Sequence, residues 1–340
     1  MRYDVLILGH GIAGAVLAES CRLRGSSVHV FDRMRAGNAS MAAGGAVNPI
    51  VFRRDVPCWR AAELMPLTHS FYSLWGKHLG IPCWHPIPLV KLFPTPSEVR
   101  LWERAMADPV TSQFITTRPE PEIEAAPLRA PHGYGTVTDA AWLDLPMLLG
   151  AHRESLIHQG ELTEMDVDGS EIQHEPEGVQ IGEVRGRWIV DCTGPFSSTP
   201  GMVPVKGETL TVRIPDLYLT RMIHRGVGLL PLGDHLYRAG ATFKWTDVWE
   251  GPTEEAREFL LAKLQATVEA TIEVVAQHAG VRPTSQDRRP ILGKTGPHSA
   301  VLNGLGARGV MLAPWCAEHL LAHLFDGHAL DPEVDRERFA

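Results

Sequence analysis

Cysteines are few in this 340-residue sequence, and no two of them stand in a C-x-x-C pair. Their odd number and wide scatter predict neither a zinc site nor a disulfide framework. The pattern is typical of buried reduced thiols in a cytoplasmic protein, and no bound metal is expected. The five cysteines are Cys21, Cys58, Cys83, Cys192 and Cys316.

Long apolar runs are also missing, since no stretch reaches the roughly 18 residues that a membrane span needs. The N-terminal segment does not resemble a signal peptide, because Glu19, Arg22 and Arg24 interrupt any apolar core. Basic residues are outnumbered, with 32 Lys and Arg against 40 Asp and Glu and a formal charge of −8. This balance argues against a surface built mainly to neutralise phosphates and leaves a local basic patch open. We expect a cytoplasmic protein without a membrane segment.

The first 32 residues have the pattern of one βαβ unit. The apolar run YDVLIL, residues 3–8, predicts a strand buried on both faces. Helical spacing follows over 12–23, with Gly25 as the stop, and SVHVFDR predicts a second strand that ends at Asp32. We therefore expect a doubly wound α/β domain that begins at the N-terminus.

A nucleotide site is predicted at the turn of this unit. Gly9, Gly11 and Gly14 stand in the order G-x-G-x-x-G, which allows a tight turn, close backbone approach to a pyrophosphate and close packing of helix on strand. Asp32 lies near the distance expected for an acid that binds ribose hydroxyls. A carboxylate there disfavours a 2′-phosphate, although Arg33 softens that objection. The pattern alone leaves NAD and FAD open.

The rest of the chain alternates helical and strand-like segments. A loop of small residues, GNASMAAGGAVNP, follows Asp32 and suggests backbone that approaches a ligand closely. Helices are predicted over about 60–78, 96–106 and 253–278, and a further one closes at Gly160. Four strand-like runs within 203–244 predict an antiparallel sheet. No internal repeat or low-complexity tract is present.

Six segments, in order, resemble the markers of the D-amino acid oxidase superfamily of FAD-dependent enzymes. This family includes glycine oxidase, sarcosine oxidase and the flavin domain of the bifunctional enzyme that trims carboxymethylaminomethyl-uridine in tRNA. The markers are spread over most of the chain, so the resemblance covers more than the nucleotide turn. The segments are LILGHGIAGAVLAESCRLRGSSVHVFDR, ASMAAGGAVNP, RWIVDCTGPFSS, PVKGETLTV, GVRPTSQDRRPILG and NGLGARGVMLAPWCAEHLLAHL.

The resemblance implies an α/β fold with an α+β substrate part. A Rossmann-like FAD-binding domain of the glutathione-reductase type would be interleaved with an antiparallel-sheet substrate domain. The predicted FAD-binding domain comprises residues 1–80, 141–202 and 281–340. The predicted substrate domain comprises residues 81–140 and 203–280.

The resemblance also implies a set of FAD-binding residues. The pyrophosphate would lie on the first glycine turn, the adenosine ribose on Asp32, and the flavin along the small-residue loop. A second glycine cluster, GLGARG, would begin a helix whose amides stabilise negative charge on the flavin. The predicted set is Gly9, Gly11, Ile12, Ala13, Gly14, Asp32, Arg33, Ser40, Ala43, Gly44, Gly45, Thr193, Gly194, Gly304, Gly306, Ala307, Arg308, Gly309 and Val310.

Sarcosine oxidase and its close relatives tether their flavin through a cysteine in the C-terminal motif. The corresponding segment here, GVRPTSQD, contains no cysteine. We therefore predict FAD that is bound non-covalently.

Four basic residues are candidates for the substrate side. Arg282 stands where the resemblance puts a carboxylate-binding arginine, and a planar guanidinium suits a carboxylate. Arg308, beside the flavin helix, is the second candidate. Arg238 takes the place where some relatives have a lysine that helps oxygen react, and Lys244 follows on the predicted strand face. An exposed sheet face is the alternative for the last two. His10 is expected to be a variable position of the turn.

The implied activity is oxidation of the C–N bond of an amino acid or N-substituted glycine, with a small amine as substrate. The first alternative is a tRNA-modifying enzyme that removes a carboxymethyl group from a modified wobble uridine. Paired arginines at 53–54, 221 and 225, and 288–289 favour tRNA, and the net charge disfavours it. The second alternative is a flavin-binding protein without turnover. Nothing in the sequence predicts an oligomeric state.

Overall fold

The computed structural model describes residues 2–340 and contains eight α-helices within that range. The helix predicted over 12–23 and its stop at Gly25 are both confirmed, because the first helix ends at Leu23 and Gly25 follows it with φ +74°. The helices are α1 Ile12–Leu23, α2 Ala39–Ala42, α3 Ala61–Leu79, α4 Pro96–Ala107, α5 Pro121–Ala125, α6 Leu145–Gln159, α7 Glu254–Gln265 and α8 Gly309–Phe325.

Two large sheets of eight strands each organise the molecule. The first sheet contains β1 Arg2–Leu8, β2 Val28–Phe31, β11 Leu162–Thr163, β12 Gln173–Glu175, β13 Gly178–Ile181, β14 Val184–Asp191, β20 Ile291–Gly296 and β21 Ser299–Asn303. The second contains β7 Leu89–Leu92, β8 Ile115–Thr116, β9 Tyr134–Val137, β15 Met202–Arg213, β16 Met222–His224, β17 Gly228–Gly233, β18 Leu236–Gly240 and β19 Glu273–Ser285. Short strands β3 Ala46–Val47, β6 Trp84–Pro86 and β10 Ala141–Leu143 pair with one another, as do β4 Ile50–Val51 and β5 Val56–Pro57.

The first sheet is the doubly wound part of the fold. Strand β1 pairs in parallel with β2 on one side and β14 on the other, and β14 pairs in parallel with β21. Residues of β1 pack into two different apolar clusters, Ile7 into one and Leu6 into the other. The strand is therefore buried on both faces, as its continuous apolar run predicts.

The second sheet is almost entirely antiparallel, and only β7 and β16 pair in parallel. Its alternating residues separate two environments. Leu210 and Tyr237 face an apolar cluster that includes Leu260 of α7, whereas Thr209 and Arg238 face the opposite side. The predicted antiparallel sheet within 203–244 is confirmed, and its polar face is free to line a site.

Two predicted helices differ from the structure. The helix predicted over 253–278 ends at Gln265, and Glu273–Ser285 is the long strand β19. The β-branched run in TIEVV favours a strand, and twelve residue pairs with β15 outweigh the helical pattern. The helix that closes at Gly160 begins only at Leu145, because the Asp144 carboxylate accepts a hydrogen bond from the Met147 amide and caps it.

The division into two interleaved domains stays a prediction. The second sheet takes its strands from 89–137 and 202–285, and the first sheet from 2–31, 162–191 and 291–303. Strand β15 begins one residue before the predicted boundary at 203, and β19 continues to Ser285, past the boundary at 281. Arg282 therefore lies on a strand of the second sheet.

Candidate active site

One cavity of about 900 Å³ runs from the first sheet to the polar face of the second. Its wall includes the glycine turn after β1, the carboxyl end of β14, the segment around α2 and the start of α8. Ligands of doubly wound domains bind beyond the carboxyl ends of the strands, which is the position of this cavity. The volume lies at the upper end of the range for small-molecule sites.

The glycine turn leaves no room for side chains. Gly9 has φ +94°, and a Cβ added to it would lie 2.8 Å from the Cys192 carbonyl oxygen. A Cβ on Gly14 would lie 1.9 Å from the Gly9 carbonyl oxygen. Gly9 lines the cavity and Gly14 does not, so the third glycine of the motif serves the packing of α1 on the turn.

Two helix N-termini face the cavity. Gly11 is the N-cap residue of α1 and Arg308 is that of α8, and neither residue has a side chain that accepts a hydrogen bond from its helix. The Ile12 amide donates to the Ser40 hydroxyl at 3.0 Å. Uncapped first-turn amides and the helix dipole favour an anion, so the cavity suits a ligand with negative charge near each helix start.

Asp32 directly follows β2 and lines the cavity. Its carboxylate accepts hydrogen bonds from the His10 amide at 2.8 Å and from the Arg153 guanidinium at 2.6 Å. Arg153 also pairs with Glu164 at 2.7 Å. Each carboxylate oxygen retains a free lone pair toward a ribose hydroxyl. Sequence reasoning missed Arg153, which comes from α6 and carries no local motif.

Most predicted cofactor residues meet in this cavity. Only Gly14 and Gly304 of the predicted set do not line it. Gly304 has φ +72° and lies against Ile291, so its role is to turn the chain before α8. The residues of the predicted set that line the cavity are Gly9, Gly11, Ile12, Ala13, Asp32, Arg33, Ser40, Ala43, Gly44, Gly45, Thr193, Gly194, Gly306, Ala307, Arg308, Gly309 and Val310.

Several lining residues were not predicted. The Asp191 carboxylate ends β14 and accepts hydrogen bonds from the Thr193 amide and hydroxyl and from the Ser197 hydroxyl. Its place at the carboxyl end of a parallel strand is a signal that could have identified it. Phe243 and the run from Met222 to Leu230 also contribute to the wall, and nothing local in the sequence indicates this.

Arg282 lines the cavity from β19, and its side chain is half-buried. Its guanidinium donates to the Thr242 carbonyl at 3.1 Å and lies 4.2 Å from the centre of the Phe243 ring. Desolvation lowers the pKa of Arg282 to about 10. No carboxylate among residues 2–340 forms an ion pair with it. A half-buried guanidinium without a counter-charge has free donors for an anionic ligand.

The other three basic candidates have different surroundings. Arg308 donates to the Asn48 carbonyl at 3.0 Å and contacts the Cys58 thiol. Arg238 lines the cavity with a weak 3.5 Å contact to the Thr209 hydroxyl. Lys244 does not line the cavity, because β18 ends at Gly240, and it pairs with Asp247 at 3.6 Å. Arg238 and Lys244 therefore do not share one strand face.

His10 is buried, and its side chain contacts a second histidine. Its Nε2 lies 3.0 Å from Nδ1 of His152 on α6, and Trp75 meets the second ring edge-on. Burial lowers the pKa of His10 to about 3, and Arg153 adds to the effect. Burial also holds the pKa of His152 well below its usual range. Both rings are neutral behind the glycine turn.

This histidine pair predicts acid sensitivity. An unfolded histidine takes up a proton near pH 6.5, whereas His10 stays neutral in the fold down to about pH 3. The unfolded state thus binds more protons in this window, and stability is lost as the pH falls below 6.5. We expect about 1.4 kcal/mol per pH unit from each buried ring.

Urea unfolding at pH 5 and pH 6 measures this effect. His152→Leu is expected to reduce the pH dependence by about 1.4 kcal/mol per unit. His158→Gln, on the exposed side of the same helix, serves as the control and should leave it unchanged. Equal slopes for wild type and His152→Leu would contradict the assignment.

The paired arginines proposed for tRNA are partly engaged in ion pairs. Arg221 lies 2.9 Å from Glu120 and Arg289 lies 3.3 Å from Glu333. Arg53 and Arg54 are exposed in the turn between β4 and β5. The pairs thus do not form a single free basic surface.

Metal sites, membrane-spanning helices and disulfide bonds are absent within residues 2–340. No group of three or more His, Cys, Asp and Glu side chains there is placed to hold a metal ion. No helix in that range combines the length and apolar character of a membrane span. The five cysteines are buried and free of disulfide bonds. Cytoplasmic location stays a prediction.

A family model described as "FAD dependent oxidoreductase" (DAO) matches residues 4–324. Glycine oxidase from Pseudomonas putida is 26% identical over 373 residues, which cover 100% of this chain and 98% of that protein. The tRNA 5-methylaminomethyl-2-thiouridine biosynthesis bifunctional protein MnmC from Idiomarina loihiensis is 25% identical over 349 residues, 95% of this chain and 56% of that protein. The chain thus spans little more than half the length of the bifunctional relatives.

Solved structures share the fold. Glycine oxidase from Geobacillus kaustophilus has a TM-score of 0.78 at 21% identity and covers 100% of this chain and 98% of its own. Iminodiacetate oxidase from Chelativorans sp. BNC1 has a TM-score of 0.78 at 20% identity, over 99% of this chain and 98% of its own.

Proposed function

Because the chain belongs to the DAO family of FAD-dependent oxidoreductases, we propose that it oxidises the C–N bond of an amino acid or N-substituted glycine. The observation that carries this proposal is Arg282, a half-buried guanidinium that lacks an acidic partner and lines the same cavity as the glycine turn. Glycine oxidase from Pseudomonas putida, similar over its whole length, supports an amino-acid substrate. Family membership also indicates an enzyme, in place of a flavin-binding protein without turnover.

FAD is the cofactor of this family, and the cavity fits it. We propose that Gly9, Gly11 and the α1 amides hold the pyrophosphate, that Asp32 holds the ribose, and that Gly44, Gly45 and the α8 amides border the flavin. Bound FAD supplies a two-electron acceptor for the carbon that bears the nitrogen. The first-turn amides of α8 stabilise negative charge at the flavin end of the site.

The residues of this chain bind and orient the substrate. The Arg282 guanidinium binds the carboxylate by two parallel hydrogen bonds, and its contacts with Thr242 and Phe243 keep it in place. The substrate loses two electrons and two protons, and water hydrolyses the resulting imine to an amine and an oxo acid. No histidine–carboxylate pair in the described cavity wall points to a dedicated general base.

Anaerobic mixing tests the proposal. The holoenzyme is combined with glycine, sarcosine and further amino and N-methyl amino acids, and the flavin absorption near 450 nm, which is generic to oxidised flavin, is followed. Bleaching by at least one amine is the expected result. If no amine in the panel bleaches the flavin, amine oxidation is wrong for this protein. Admission of air then distinguishes an oxidase from a dehydrogenase.

We also propose that the FAD is non-covalent. Cys192 is the one cysteine of the described cavity wall, and burial holds the pKa of its thiol well above the usual range. A protonated thiol is a poor nucleophile toward the flavin ring. Acid precipitation should leave the yellow colour in the supernatant, measured by its absorbance. A yellow pellet would indicate a covalent bond.

Modified tRNA is the second candidate substrate, and one surface feature favours it. Phe243, Trp245 and Trp249 are 56%, 62% and 54% exposed on the segment after β18, with Lys244 among them. Phe243 also lines the cavity. Exposed aromatic rings beside a cation suit unstacked bases and their phosphates. The relative from Idiomarina loihiensis is named for tRNA biosynthesis, which agrees with this candidate.

The tRNA candidate has its own test. A tRNA that carries carboxymethylaminomethyl-uridine at the wobble position should bleach the flavin, and the same tRNA without the modification should not. Trp245→Ala should then raise KM for this tRNA about tenfold, since one base stack contributes about 1–3 kcal/mol. No bleaching by the modified tRNA, with bleaching by a small amine, would leave the first proposal alone.

A further inference from the structure

A second arginine, Arg238, lines the cavity together with Arg282 from the second sheet, whose cavity side we call the floor. Strand β15 is central, with β18 on one side and β19 on the other. Val205 pairs with Arg282 and Thr211 pairs with Arg238, and paired residues of antiparallel strands point to the same face. Gly207 and Thr209 lie on that face as well, because side chains alternate along a strand. Both arginines therefore rise from the cavity side of the second sheet.

The two guanidinium groups converge over β15. A Cβ added to Gly207 would lie 2.2 Å from an amino nitrogen of Arg282, so that guanidinium covers Gly207. The Arg238 guanidinium reaches the Thr209 hydroxyl at 3.5 Å. Gly207 and Thr209 are successive positions on one face, about 7 Å apart along the strand. Each arginine thus leans toward the other from opposite ends of the floor.

Neither guanidinium forms an ion pair with a carboxylate among residues 2–340. The Nε atom of Arg238 is buried without a hydrogen-bond partner, and Arg282 uses only one of its terminal nitrogens, toward backbone carbonyls. The Asp144 carboxylate attracts Arg238 electrostatically, but it forms no ion pair with it and caps α6. Glu208 points to the other face of the sheet, where it pairs with Lys206 at 2.8 Å.

None of the acidic residues in the described cavity wall lies on the second sheet. They are Asp32, Asp166 and Asp191, and each is engaged elsewhere, with Arg153, with Arg35 and with Thr193 respectively. The cavity side of the second sheet therefore has two half-buried guanidinium groups, and none of the carboxylates that line the described cavity pairs with either of them. Such charges are costly unless a ligand neutralises them.

We propose that the substrate is an amine with two carboxylates, one bound by Arg282 and the other by Arg238. The inference rests on the proposed amine oxidation and narrows its substrate class. Two carboxymethyl groups on one nitrogen place the carboxylate carbons four bonds apart, roughly 5 Å when extended. That span matches two guanidinium groups that cover neighbouring positions of one strand face. Monocarboxylates leave the charge of Arg238 uncompensated.

Redox-inert sulfur analogues test the inference without turnover. The holoenzyme is titrated with thiodiacetate, a dicarboxylate, and with (methylthio)acetate, the monocarboxylate CH3–S–CH2–COO⁻, which we call methylthioacetate. The change in the flavin spectrum reports binding. We expect a Kd at least tenfold lower for thiodiacetate. Arg238→Gln should remove this preference and change the Kd of methylthioacetate less than twofold. Arg282→Gln should weaken the binding of both ligands.

Control variants keep the test decisive. Arg213 is an exposed arginine at the end of β15, and Arg213→Gln should change neither Kd. Arg238→Lys should retain part of the preference, which separates loss of charge from misfolding. Equal Kd values for both ligands in the wild type, or an unchanged preference in Arg238→Gln, would overturn the inference. Tighter binding of the monophosphonate analogue of thiodiacetate would overturn it in favour of a phosphate.

The outcome is independent of the oxidation assay. A preference for thiodiacetate supports the two-carboxylate site even if no amine bleaches the flavin, in which case amine oxidation alone fails. Bleaching by monocarboxylate amines without a thiodiacetate preference leaves the oxidation intact and refutes the second carboxylate.

Discussion

Arg282→Gln is expected to lower kcat/KM for the amine substrate by about 10²–10³-fold. Removal of one partner of a buried charge pair costs about 2–5 kcal/mol, and each 1.36 kcal/mol corresponds to a factor of ten. The neutral glutamine side chain retains hydrogen-bond donors without the charge that a carboxylate requires. Steady-state kinetics with the best amine of the anaerobic panel measures the effect.

Two controls distinguish a loss of substrate binding from a loss of FAD or of the fold. FAD content and the flavin spectrum should be unchanged, because Arg282 lies on the second sheet, and Arg213→Gln should retain wild-type kinetics. Full activity with unchanged KM in Arg282→Gln would remove the carboxylate site from this position.

The pH dependence of binding offers an independent check on Arg282. Desolvation lowers the pKa of its guanidinium to about 10, so the charge that binds a carboxylate is present below this pH and is lost above it. The Kd of methylthioacetate should therefore rise steeply above pH 10. A Kd that stays constant to pH 11 would contradict the lowered pKa of Arg282.

Gly14→Ala is expected to abolish stable FAD binding and to lower the free energy of unfolding by more than about 4 kcal/mol. The added Cβ would lie 1.9 Å from the Gly9 carbonyl oxygen, which belongs to a backbone turn and has no flexible end to move. Either α1 or the turn must shift, and both border the pyrophosphate position. The loss arises although Gly14 itself does not line the cavity.

Gly150→Ala is the matched control. Gly150 also lies inside a helix, α6, and a Cβ there would meet no atom within 4 Å. Alanine is favoured over glycine in a helix by about 1 kcal/mol, so this variant should be slightly more stable than the wild type. Urea unfolding and the FAD content after purification measure both variants. FAD retention by Gly14→Ala would show that the close contact is not required.

Local patterns predicted many of the residues that line the first-sheet end of the cavity. The turn at Gly9, Gly11 and Gly14, the strand ending in Asp32 and the small-residue loop are contiguous in sequence, and each has a local physical reason. The same type of signal misled over 253–278, where a helical pattern gave way to β19. Pairing with β15 decided that segment, and pairing partners are distant in sequence.

The sequence by itself determined the doubly wound domain and the family, because glycine conformation and buried apolar runs act within a few residues of each other. Only the tertiary structure decided which basic side chains line the cavity from the second sheet. Arg238 and Arg282 are far apart in the chain, and they meet because β18 and β19 flank β15 in one register. Lys244 follows Arg238 closely and still lies elsewhere, because the strand ends at Gly240.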